Sequence, residues 1–406
     1  MKSGGLRLQI RIAPILLVSA AAISASAQLP KITEAPPPTT EFTTTARPPS
    51  DPNVQEAILR FPSAITTAIK ENNTVEVELY TPRDAPKPMP VVIVLHYWGA
   101  SDLQTEERLA RKLNEKGIAA AILVLPYHMR RSPPGVRSGE AAITPDVSAL
   151  IETMTQAVMD VKRLIDYIVS NNEYDAKRIA LSGVSLGGIV GALCTGVDSR
   201  ISAAAFVLAG GDLAHLLFNS TVTMDVRRDL RKKGYDEQRL RTALQPIEPL
   251  NFARPEIGDS ILIVGARYDQ VVPPVDTQKL EAAWNAKHRI TLDTGHYGGV
   301  LVERRLYRSI ADFFDSKFIH SNAAPPRSFS TPTVRIGISY ATDYGLTVGA
   351  GLDLLRTRSR DAHLTGFITP VGPLLYGAKE IGSGLSVGLL LGKHGPAVGL
   401  IWSIVL

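Results

Sequence analysis

Apolar residues in the central part of the chain occur in short continuous runs that alternate with longer stretches of helical spacing. Continuous runs of about four to eight apolar residues are typical of strands buried on both faces of a parallel sheet. The runs, with one alternating segment, predict strands at residues 75–80, 91–95, 119–125, 178–181, 203–208, 261–264 and 289–292. Helical spacing predicts helices at residues 104–115 and 147–169. We therefore predict an α/β fold, a mostly parallel sheet with helices on both faces.

The stretch between the strands at 203–208 and 261–264 is too long for a single crossover helix. We place a small helical cap there, at about residues 212–254. Its most basic stretch, residues 227–233, has acidic neighbours and helical spacing, which is typical of a solvated helix. Some apolar cap residues either line a pocket beneath the cap or pack the cap onto the sheet, and the sequence leaves both roles open. These residues are Leu213, Leu216, Leu217 and Phe218.

The pattern changes in the C-terminal region, residues 331–406, where apolar residues alternate with small ones. This period of two predicts about five strands with one apolar face. They fall at residues 336–341, 346–354, 362–369, 385–392 and 397–406. Apolar and small faces of this length are seen in membrane barrels, but five strands cannot close such a barrel within one chain. Two hypotheses stay open: membrane or envelope contact through assembled chains, and a small antiparallel accessory sheet packed on protein.

The N-terminus predicts export. Lys2, Arg7 and Arg11 precede an apolar run at residues 12–23, and small residues stand before Gln28. Residues 1–27 are therefore predicted to be a cleaved signal peptide, and the protein to be periplasmic or extracellular in a bacterium, with outer-membrane association through its C-terminal region as one alternative. Residues 28–54 are rich in proline and threonine and predict a linker.

Charge and cysteine content narrow the classes of function. The formal net charge of +5 is spread along the 406 residues, so we expect no nucleic-acid partner. The single cysteine, Cys194, excludes an intrachain disulfide. Metal-ligand spacing is absent from the sequence, and we expect neither a metal nor a cofactor.

The strongest chemical signal is the sequence Gly-Val-Ser-Leu-Gly at residues 183–187, between a predicted strand and a helix-like segment. In a nucleophile elbow, a serine occupies a sharp strand-to-helix turn, and small residues are required two positions before and after it. Such a motif also arises by chance in loops, so the context decides. Ser185 is the candidate nucleophile.

A serine nucleophile needs a histidine base, and that histidine needs a carboxylate that fixes its tautomer. Asp269 and His296 follow the predicted strands at 261–264 and 289–292. The chain order Ser, Asp, His, with each residue after a strand, is that of one triad fold among the three known orders. We therefore predict the triad Ser185, Asp269 and His296.

Other residues compete for two of these roles. Asp293 is a rival acid, but it lies only three residues before His296 and is expected to face away or cap the loop. Three other histidines are rival bases, and we interpret them as surface or cap residues because none follows a strand and a glycine in the required way. They are His128, His215 and His288.

With these motifs, the chain resembles the α/β-hydrolase superfamily, and in particular its dienelactone-hydrolase-like and acetyl-xylan-esterase-like branches. The resemblance covers about residues 74–318 and places a hydrolase domain at 55–320, followed by a linker at 321–330. It implies an oxyanion hole formed by the amides of Leu186 and of Tyr97 or Trp98, after the strand at 91–95. Tyr97 stands where glycine is frequent, so the second donor stays open between Tyr97 and Trp98. His96 is interpreted as a structural loop residue.

The resemblance implies a serine hydrolase, carboxylesterase-like, that cleaves a small-molecule ester through an acyl-enzyme. Two alternatives stay open. One is a serine peptidase of the prolyl-oligopeptidase type, which normally carries a β-propeller before its catalytic domain. The other is an inactive hydrolase-fold protein that binds a partner or anchors to the envelope through its C-terminal region.

Overall fold

The protein is described here from a computed structural model that covers residues 29–320, 331–357, 362–382 and 384–406. The predicted signal peptide at 1–27 and the predicted linker at 321–330 lie outside the described residues.

The hydrolase region is built on a nine-stranded sheet with the strand order β1-β2-β3-β5-β4-β6-β7-β8-β9. The strands are β1 (Thr43–Arg47), β2 (Val54–Pro62), β3 (Thr74–Pro82), β4 (Met89–Leu95), β5 (Ala119–Leu123), β6 (Tyr174–Val184), β7 (Ile201–Val207), β8 (Ile261–Ala266) and β9 (His288–Leu292). From β5 to β9 the neighbouring strands are parallel, whereas β1, β2 and β3 add an antiparallel edge. The predicted α/β fold class is confirmed.

Eight α-helices accompany these strands in the described residues. They are α1 (Gln104–Asn114), α2 (Val147–Ser170), α3 (Leu186–Val197), α4 (Leu213–Asn219), α5 (Met224–Lys232), α6 (Glu237–Ala243), α7 (Pro274–Trp284) and α8 (Glu303–Phe318). No helix in these ranges combines the length and apolar character needed to cross a lipid bilayer.

Strand β4 shows how the continuous apolar runs create two cores. Val91, Ile93 and Leu95 pack on the sheet face covered by α2 and α3. Val92 and Val94 point the other way, into the core beneath α1 and α8. Successive side chains of a strand face opposite sides of the sheet, so a strand covered on both sides must be apolar throughout. The sheet is thereby fixed between two helical layers, and its carboxyl edge remains free for the site.

Helices α4, α5 and α6 form the cap within the predicted segment 212–254. Leu213, Leu217 and Phe218 are buried in the core on the α2 and α3 side, and Leu216 packs against it. Of the two roles left open for these residues, the structure therefore favours packing of the cap onto the domain.

Part of the predicted linker is bound to the hydrolase domain. Strand β1 pairs with β2, and the carbonyls of Ile32 and Glu34 accept hydrogen bonds from Lys162 Nζ at 2.6 and 2.7 Å. Arg163 Nη2 donates to the Pro37 carbonyl at 2.8 Å. Both basic side chains lie largely buried on α2 and need acceptors, which a proline-rich segment with few internal hydrogen bonds supplies. The composition of residues 28–54 did not reveal this docking.

The C-terminal region is a closed barrel of six antiparallel strands, one more than predicted. The strands are β10 (Val334–Ala341), β11 (Gly345–Arg356), β12 (Ala362–Thr369), β13 (Gly372–Gly382), β14 (Leu385–Gly392) and β15 (Gly395–Val405). The missed strand is β13, in which Pro373, Gly377 and the Lys379–Glu380 pair interrupt the apolar alternation. Pairing of β10 with β15 closes the six strands into a barrel within one chain, whereas the expectation of assembled chains rested on a count of five strands.

Candidate active site

Ser185 occupies a strained turn between β6 and α3. Its φ of 53° and ψ of −115° lie outside the regions that non-glycine residues favour. Its amide donates a hydrogen bond to the Val207 carbonyl on the neighbouring strand at 2.8 Å, and its carbonyl accepts from Gly188 and Ile189 as α3 begins. The turn is therefore held from both sides, and this is the geometry of a nucleophile elbow.

The two glycines of the motif are required by close backbone contacts. A Cβ on Gly183 would lie 2.1 Å from the carbonyl oxygen of Gly187. A Cβ on Gly187 would lie 2.3 Å from the carbonyl oxygen of Leu95 on β4. The contacting atoms belong to the backbone, and they cannot move away as the end of a flexible side chain could. The spacing of the motif thus has a steric cause in this fold.

The structure brings the three predicted triad residues together. Ser185 Oγ lies 3.1 Å from His296 Nε2, and His296 Nδ1 lies 2.8 Å from Asp269 Oδ2. The other oxygen of Asp269 accepts hydrogen bonds from the amides of Val271 and Val272 at 2.9 and 2.8 Å. All three triad side chains are nearly buried. The carboxylate is thus oriented by the backbone, and it orients the imidazole in turn.

The loop that carries His296 rests on the end of the last barrel strand. The Gly295 amide donates to the Leu406 carbonyl at 2.6 Å, and the Thr294 hydroxyl donates to the same oxygen. A Cβ on Gly295 would lie 2.1 Å from the Val405 carbonyl oxygen, so only glycine fits there. No pattern in the sequence links this loop to the C-terminal strand, and these positioning contacts were missed for that reason.

The rival acid has another partner. Asp293 Oδ1 accepts a hydrogen bond from Arg267 Nε at 2.9 Å, and the pair lies partly exposed. As expected from its closeness in sequence to His296, Asp293 faces away from the imidazole.

The rival bases also lie elsewhere. His128 Nε2 accepts from the Gly99 amide at 3.1 Å, and burial lowers its pKa to about 4. His215 Nδ1 contacts Asp276 Oδ2 at 2.9 Å, at the base of the cap. His288 begins β9, where Nε2 lies 3.4 Å from Asp259 Oδ1. The contacts described for these three histidines do not include Ser185.

The loop after β4 carries the residues implied for the oxyanion hole. Tyr97 and Trp98 line the same cavity as Ser185, and Leu186 is the first residue of α3, next to the nucleophile. His96 shapes this loop: Nδ1–H donates to the Tyr97 carbonyl at 2.9 Å, and Nε2 accepts from the Leu125 amide at 3.0 Å. Burial lowers the pKa of His96 to about 3, so its ring stays neutral. Both ring nitrogens of His96 are used by backbone groups, so the contacts agree with the predicted structural role.

A cavity of about 340 Å³ opens beside Ser185 and His296. Most of its wall is apolar, and the cap contributes Val222 to it. The other aliphatic lining residues come from the sheet, from the loops at its carboxyl edge and from helix α8: Val184, Val207, Leu208, Val271, Val300 and Leu306. The charged lining residue Glu303 is paired with Arg108. The site therefore presents the nearly buried hydroxyl of Ser185 to a mostly apolar pocket, which is the common form of a small-molecule site.

A buried carboxyl group lies directly behind the elbow. Glu106 on α1 is 1% exposed and borders a void of about 10 Å³ together with Ser182 and Gly183. In the described part of the chain, neither oxygen of this carboxyl has a hydrogen-bond partner. Burial raises the pKa of Glu106 to about 8, so the group is largely protonated at neutral pH.

We expect Glu106→Met to change how stability depends on pH. Between the ordinary pKa of 4.5 and the folded value of about 8, the folded protein holds a proton that the unfolded chain loses. The free energy of unfolding of the wild type should therefore fall with rising pH in this window, by about 1.4 kcal/mol per pH unit from this group. Denaturant titrations at pH 5, 6, 7 and 8 should show the variant gaining that amount per unit relative to the wild type.

The matched control for this experiment is Glu107→Met, which removes a carboxylate that reaches solvent from the same helix turn. If the free energy of unfolding depends on pH in the same way in the wild type and in Glu106→Met, Glu106 is not protonated in the folded protein.

A serine, a histidine and an aspartate on loops at the carboxyl edge of a mostly parallel sheet, with the serine on a strand-turn-helix elbow, define the α/β-hydrolase class. The chain has this fold. The sequence model of the family described as "Alpha/beta hydrolase domain containing 18" matches residues 50–248.

Two uncharacterized proteins of Mycobacterium tuberculosis, from strains CDC 1551 / Oshkosh and ATCC 25618 / H37Rv, are similar in sequence. Each is 31% identical over 137 residues, which is 32% of this chain and 32% of the relative. The match thus spans about a third of the length of these curated relatives.

Solved structures are similar in fold, one of them over a larger share of the chain than these sequence relatives. The acetyl xylan esterase from Paenibacillus sp. R4 has a TM-score of 0.52 at 19% identity, over 69% of this chain and 89% of that chain. Acetyl xylan esterase 1 from Thermoanaerobacterium sp. JW/SL YS485 has a TM-score of 0.49 at 15% identity, over 69% of this chain and 90% of that chain. At such identities the likeness concerns the fold. The predicted resemblance to the α/β-hydrolase superfamily is confirmed.

Proposed function

We propose that the protein is a serine hydrolase that cleaves carboxylic esters through an acyl-enzyme, with Ser185 as nucleophile, His296 as base and Asp269 as the acid of the triad. The observation that carries this proposal is the continuous chain of hydrogen bonds, 3.1 Å from Ser185 Oγ to His296 Nε2 and 2.8 Å from His296 Nδ1 to Asp269 Oδ2. Its distances are those that a general base needs to take a proton from a nucleophile.

In the first half-reaction, Ser185 Oγ attacks the ester carbonyl carbon while His296 Nε2 takes the hydroxyl proton. The Nδ1–H of His296 donates to Asp269 throughout, and the carboxylate stabilises the imidazolium that forms. When the tetrahedral intermediate collapses, the imidazolium gives its proton to the leaving alkoxide, and an acyl-serine remains. Water then repeats the sequence with His296 as base and releases the carboxylic acid.

The tetrahedral intermediate carries a negative oxygen, which backbone amides stabilise in this superfamily. We propose the amide of Leu186 and that of Tyr97 or Trp98 as donors, because Leu186 directly follows Ser185 at the start of α3 and Tyr97 and Trp98 line the cavity beside it. A donor of this kind typically contributes about 3 kcal/mol to transition-state stabilisation. Tyrosine in place of glycine at position 97 does not remove a donor, because both residues carry the same backbone N–H.

The cavity supports uncharged acyl groups as substrates. Its aliphatic wall offers no counterion, because the carboxylate of Glu303 is already paired with Arg108. A charged acyl group would lose its hydration without compensation there. The acetyl xylan esterase from Paenibacillus sp. R4 has the same fold, and we include acetylated xylan among the esters to be tested.

Labelling with a fluorophosphonate tests the proposal, because this reagent phosphonylates an activated serine. We expect the wild type to incorporate one label, to lose esterase activity in proportion, and to yield a labelled peptide that contains Ser185. Activity is measured on p-nitrophenyl acetate, butyrate and octanoate and on a peptide anilide. Turnover of the esters well above that of the anilide supports an esterase, and the reverse preference supports the peptidase alternative.

The chain offers a matched control for the label. Ser182 lies on β6, three residues before Ser185, and its buried hydroxyl is without a hydrogen-bond partner in the part of the chain described. Ser182→Ala should keep both labelling and turnover. A folded wild type that neither labels nor hydrolyses any ester would point to the inactive hydrolase-fold alternative.

We further propose export by the signal peptide at residues 1–27. The pattern of basic residues, apolar run and small residues before Gln28 supports it. Cleavage of the signal peptide leaves Gln28 as the first residue. The intact mass of the labelled protein, measured after recovery from the envelope of an expressing bacterium, therefore tests this proposal.

A further inference from the structure

The inner face of the C-terminal barrel carries its polar side chains. Arg335 is 1% exposed and points inward, where Nε donates to Asp353 Oδ1 at 2.9 Å and Nη1 donates to Ser403 Oγ at 3.1 Å. Thr365 Oγ1 donates to the same aspartate oxygen, and His363 contacts Thr365 at 2.7 Å. A charged and hydroxylated network thus lies inside the barrel, together with an apolar cluster of nine buried residues.

The outer face is apolar on every strand. The large apolar side chains exposed to the outside range from 37% exposed for Leu375 to 78% for Ile368. Each of the six strands contributes: Ile336, Ile338, Tyr340, Leu346, Val348, Leu352, Leu354, Ile368, Leu375, Ile381, Val387, Leu389, Leu391, Val398, Leu400 and Trp402. Among the exposed strand positions that are described, the charged one is Lys379. It pairs with Ala362, the first residue of β12, at the end of the barrel nearest the hydrolase domain.

This distribution inverts that of a water-soluble barrel, in which apolar side chains point inward and polar ones outward. Outward apolar and inward polar residues that alternate along each strand are the pattern of barrels that contact lipid. We propose that the outer face of residues 334–405 is embedded in a lipid bilayer and anchors the hydrolase domain to it.

The shape of the apolar surface selects lipid over a protein partner. An exposed apolar patch on one side of a domain fits a single partner surface, whereas here the patch continues around a closed barrel. A bilayer surrounds what it contains, so it covers all six strands at once. The closed ladder also leaves no strand edge without hydrogen bonds, which is the condition for β-structure in hydrocarbon.

The longer strands match the thickness of a bilayer. Strands β11, β13 and β15 have 12, 11 and 11 residues, and a membrane-spanning strand needs about 9–11 when tilted. Strands β10, β12 and β14 have 8 residues each, so they end before the full thickness is crossed. The three hairpin turns after β10, β12 and β14 lie at one end, at residues 342–344, 370–371 and 393–394. They include Asp343, Lys393 and His394, which suit a polar headgroup layer. The hydrolase domain joins the opposite end, which places its cavity outside the hydrocarbon.

The barrel is an anchor rather than a channel. Its interior is filled by side chains, with Tyr376 fully buried and bonded through its hydroxyl to the Ser386 and Gly399 carbonyls at 3.0 Å. Barrels of six strands are narrower than the smallest single-chain outer-membrane barrels, which have about eight. The proposal does not depend on esterase activity, and its tests use no substrate.

Flotation and quenching test the proposal on the full chain, purified in detergent and mixed with phosphatidylcholine and phosphatidylglycerol vesicles during detergent removal. We expect the protein to float with the vesicles in a density gradient. Lipids brominated on the acyl chains should quench its tryptophan fluorescence. Of the three tryptophans, Trp402 points outward from the barrel, Trp284 is buried in the hydrolase core and Trp98 lines the cavity beside Ser185. Trp402→Phe should therefore abolish most of this quenching.

Charged substitutions on the outer face supply the matched comparison. Val348→Lys with Leu389→Lys adds two charges at exposed positions, which costs nothing in water but opposes burial in lipid. We expect at least a tenfold loss of floated protein. Met224→Lys with Val275→Lys adds the same charges at exposed apolar positions of the hydrolase domain and should float like the wild type. Circular dichroism establishes that both variants are folded.

Three results would overturn the proposal. In the first, the protein stays at the bottom of the gradient, as a monomer or as an oligomer whose copies cover one another's barrels. In the second, it floats without quenching by brominated acyl chains, which indicates adsorption to headgroups only. In the third, the Val348→Lys and Leu389→Lys variant floats as well as the wild type.

Discussion

Ser185→Ala is expected to lower kcat for ester hydrolysis by about 10⁴- to 10⁶-fold and to leave KM nearly unchanged. The Oγ atom is the only part of the side chain that forms the covalent bond in the proposed mechanism, and alanine fits the turn at φ 53° no worse than serine does. The fold and the cavity should therefore survive the substitution. Steady-state kinetics on p-nitrophenyl butyrate measure the effect. Ser182→Ala is the control, because it makes the same serine-to-alanine change at a neighbouring position.

The same mechanism predicts that removing a second member of the triad adds little. His296→Ala should lower kcat by a similar factor, and the double variant Ser185→Ala/His296→Ala should lie close to either single variant, since the two groups act as one unit. Residual catalysis then comes from the oxyanion hole and binding. Multiplicative losses in the double variant, or a Ser185→Ala enzyme with more than a tenth of the wild-type kcat, would contradict the assignment.

Asp269→Asn is expected to lower kcat by about 10⁴-fold. Asp269 Oδ1 accepts two backbone amides and Oδ2 accepts the Nδ1–H of His296. An amide at this position keeps its carbonyl oxygen on the two backbone donors and turns its NH₂ toward the imidazole. His296 then carries its proton on Nε2, where it no longer accepts the proton of Ser185. The measurement is kcat between pH 6 and pH 10.

Asp293→Asn is the matched control for this substitution. It makes the same chemical change three residues from His296, on a side chain that pairs with Arg267. We expect it to keep kcat within a fewfold of the wild type. If Asp293→Asn proves the more damaging of the two substitutions, the acid of the triad has been assigned to the wrong residue.

The sequence was sufficient where structure is determined locally. Continuous apolar runs identified the parallel strands because each of them is covered on both faces, as β4 is. The elbow was visible because Gly183 and Gly187 meet backbone atoms that leave no room for a side chain. The order of Ser185, Asp269 and His296 followed from the position of each residue after a strand.

Contacts between distant segments could not be predicted in this way. Closure of the barrel depends on pairing β10 with β15, whose partners lie some 60 to 70 residues apart in the chain, such as Arg335 and Val405. The docking of residues 32–37 depends on two buried basic side chains of α2, Lys162 and Arg163, whose need for acceptors becomes visible only after folding. Composition alone made that segment look like a free linker.

The contact between Gly295 and Leu406 determines whether the hydrolase region can be separated from the barrel. The loop that carries His296 is held by a hydrogen bond from the Gly295 amide to the Leu406 carbonyl, and the neighbouring strand leaves no room for a Cβ on Gly295. A chain without residues 331–406 would lack the acceptor of both the Gly295 amide and the Thr294 hydroxyl. The hydrolase region and the barrel are consequently poor candidates for exchange as independent modules, in the laboratory or by recombination between genes.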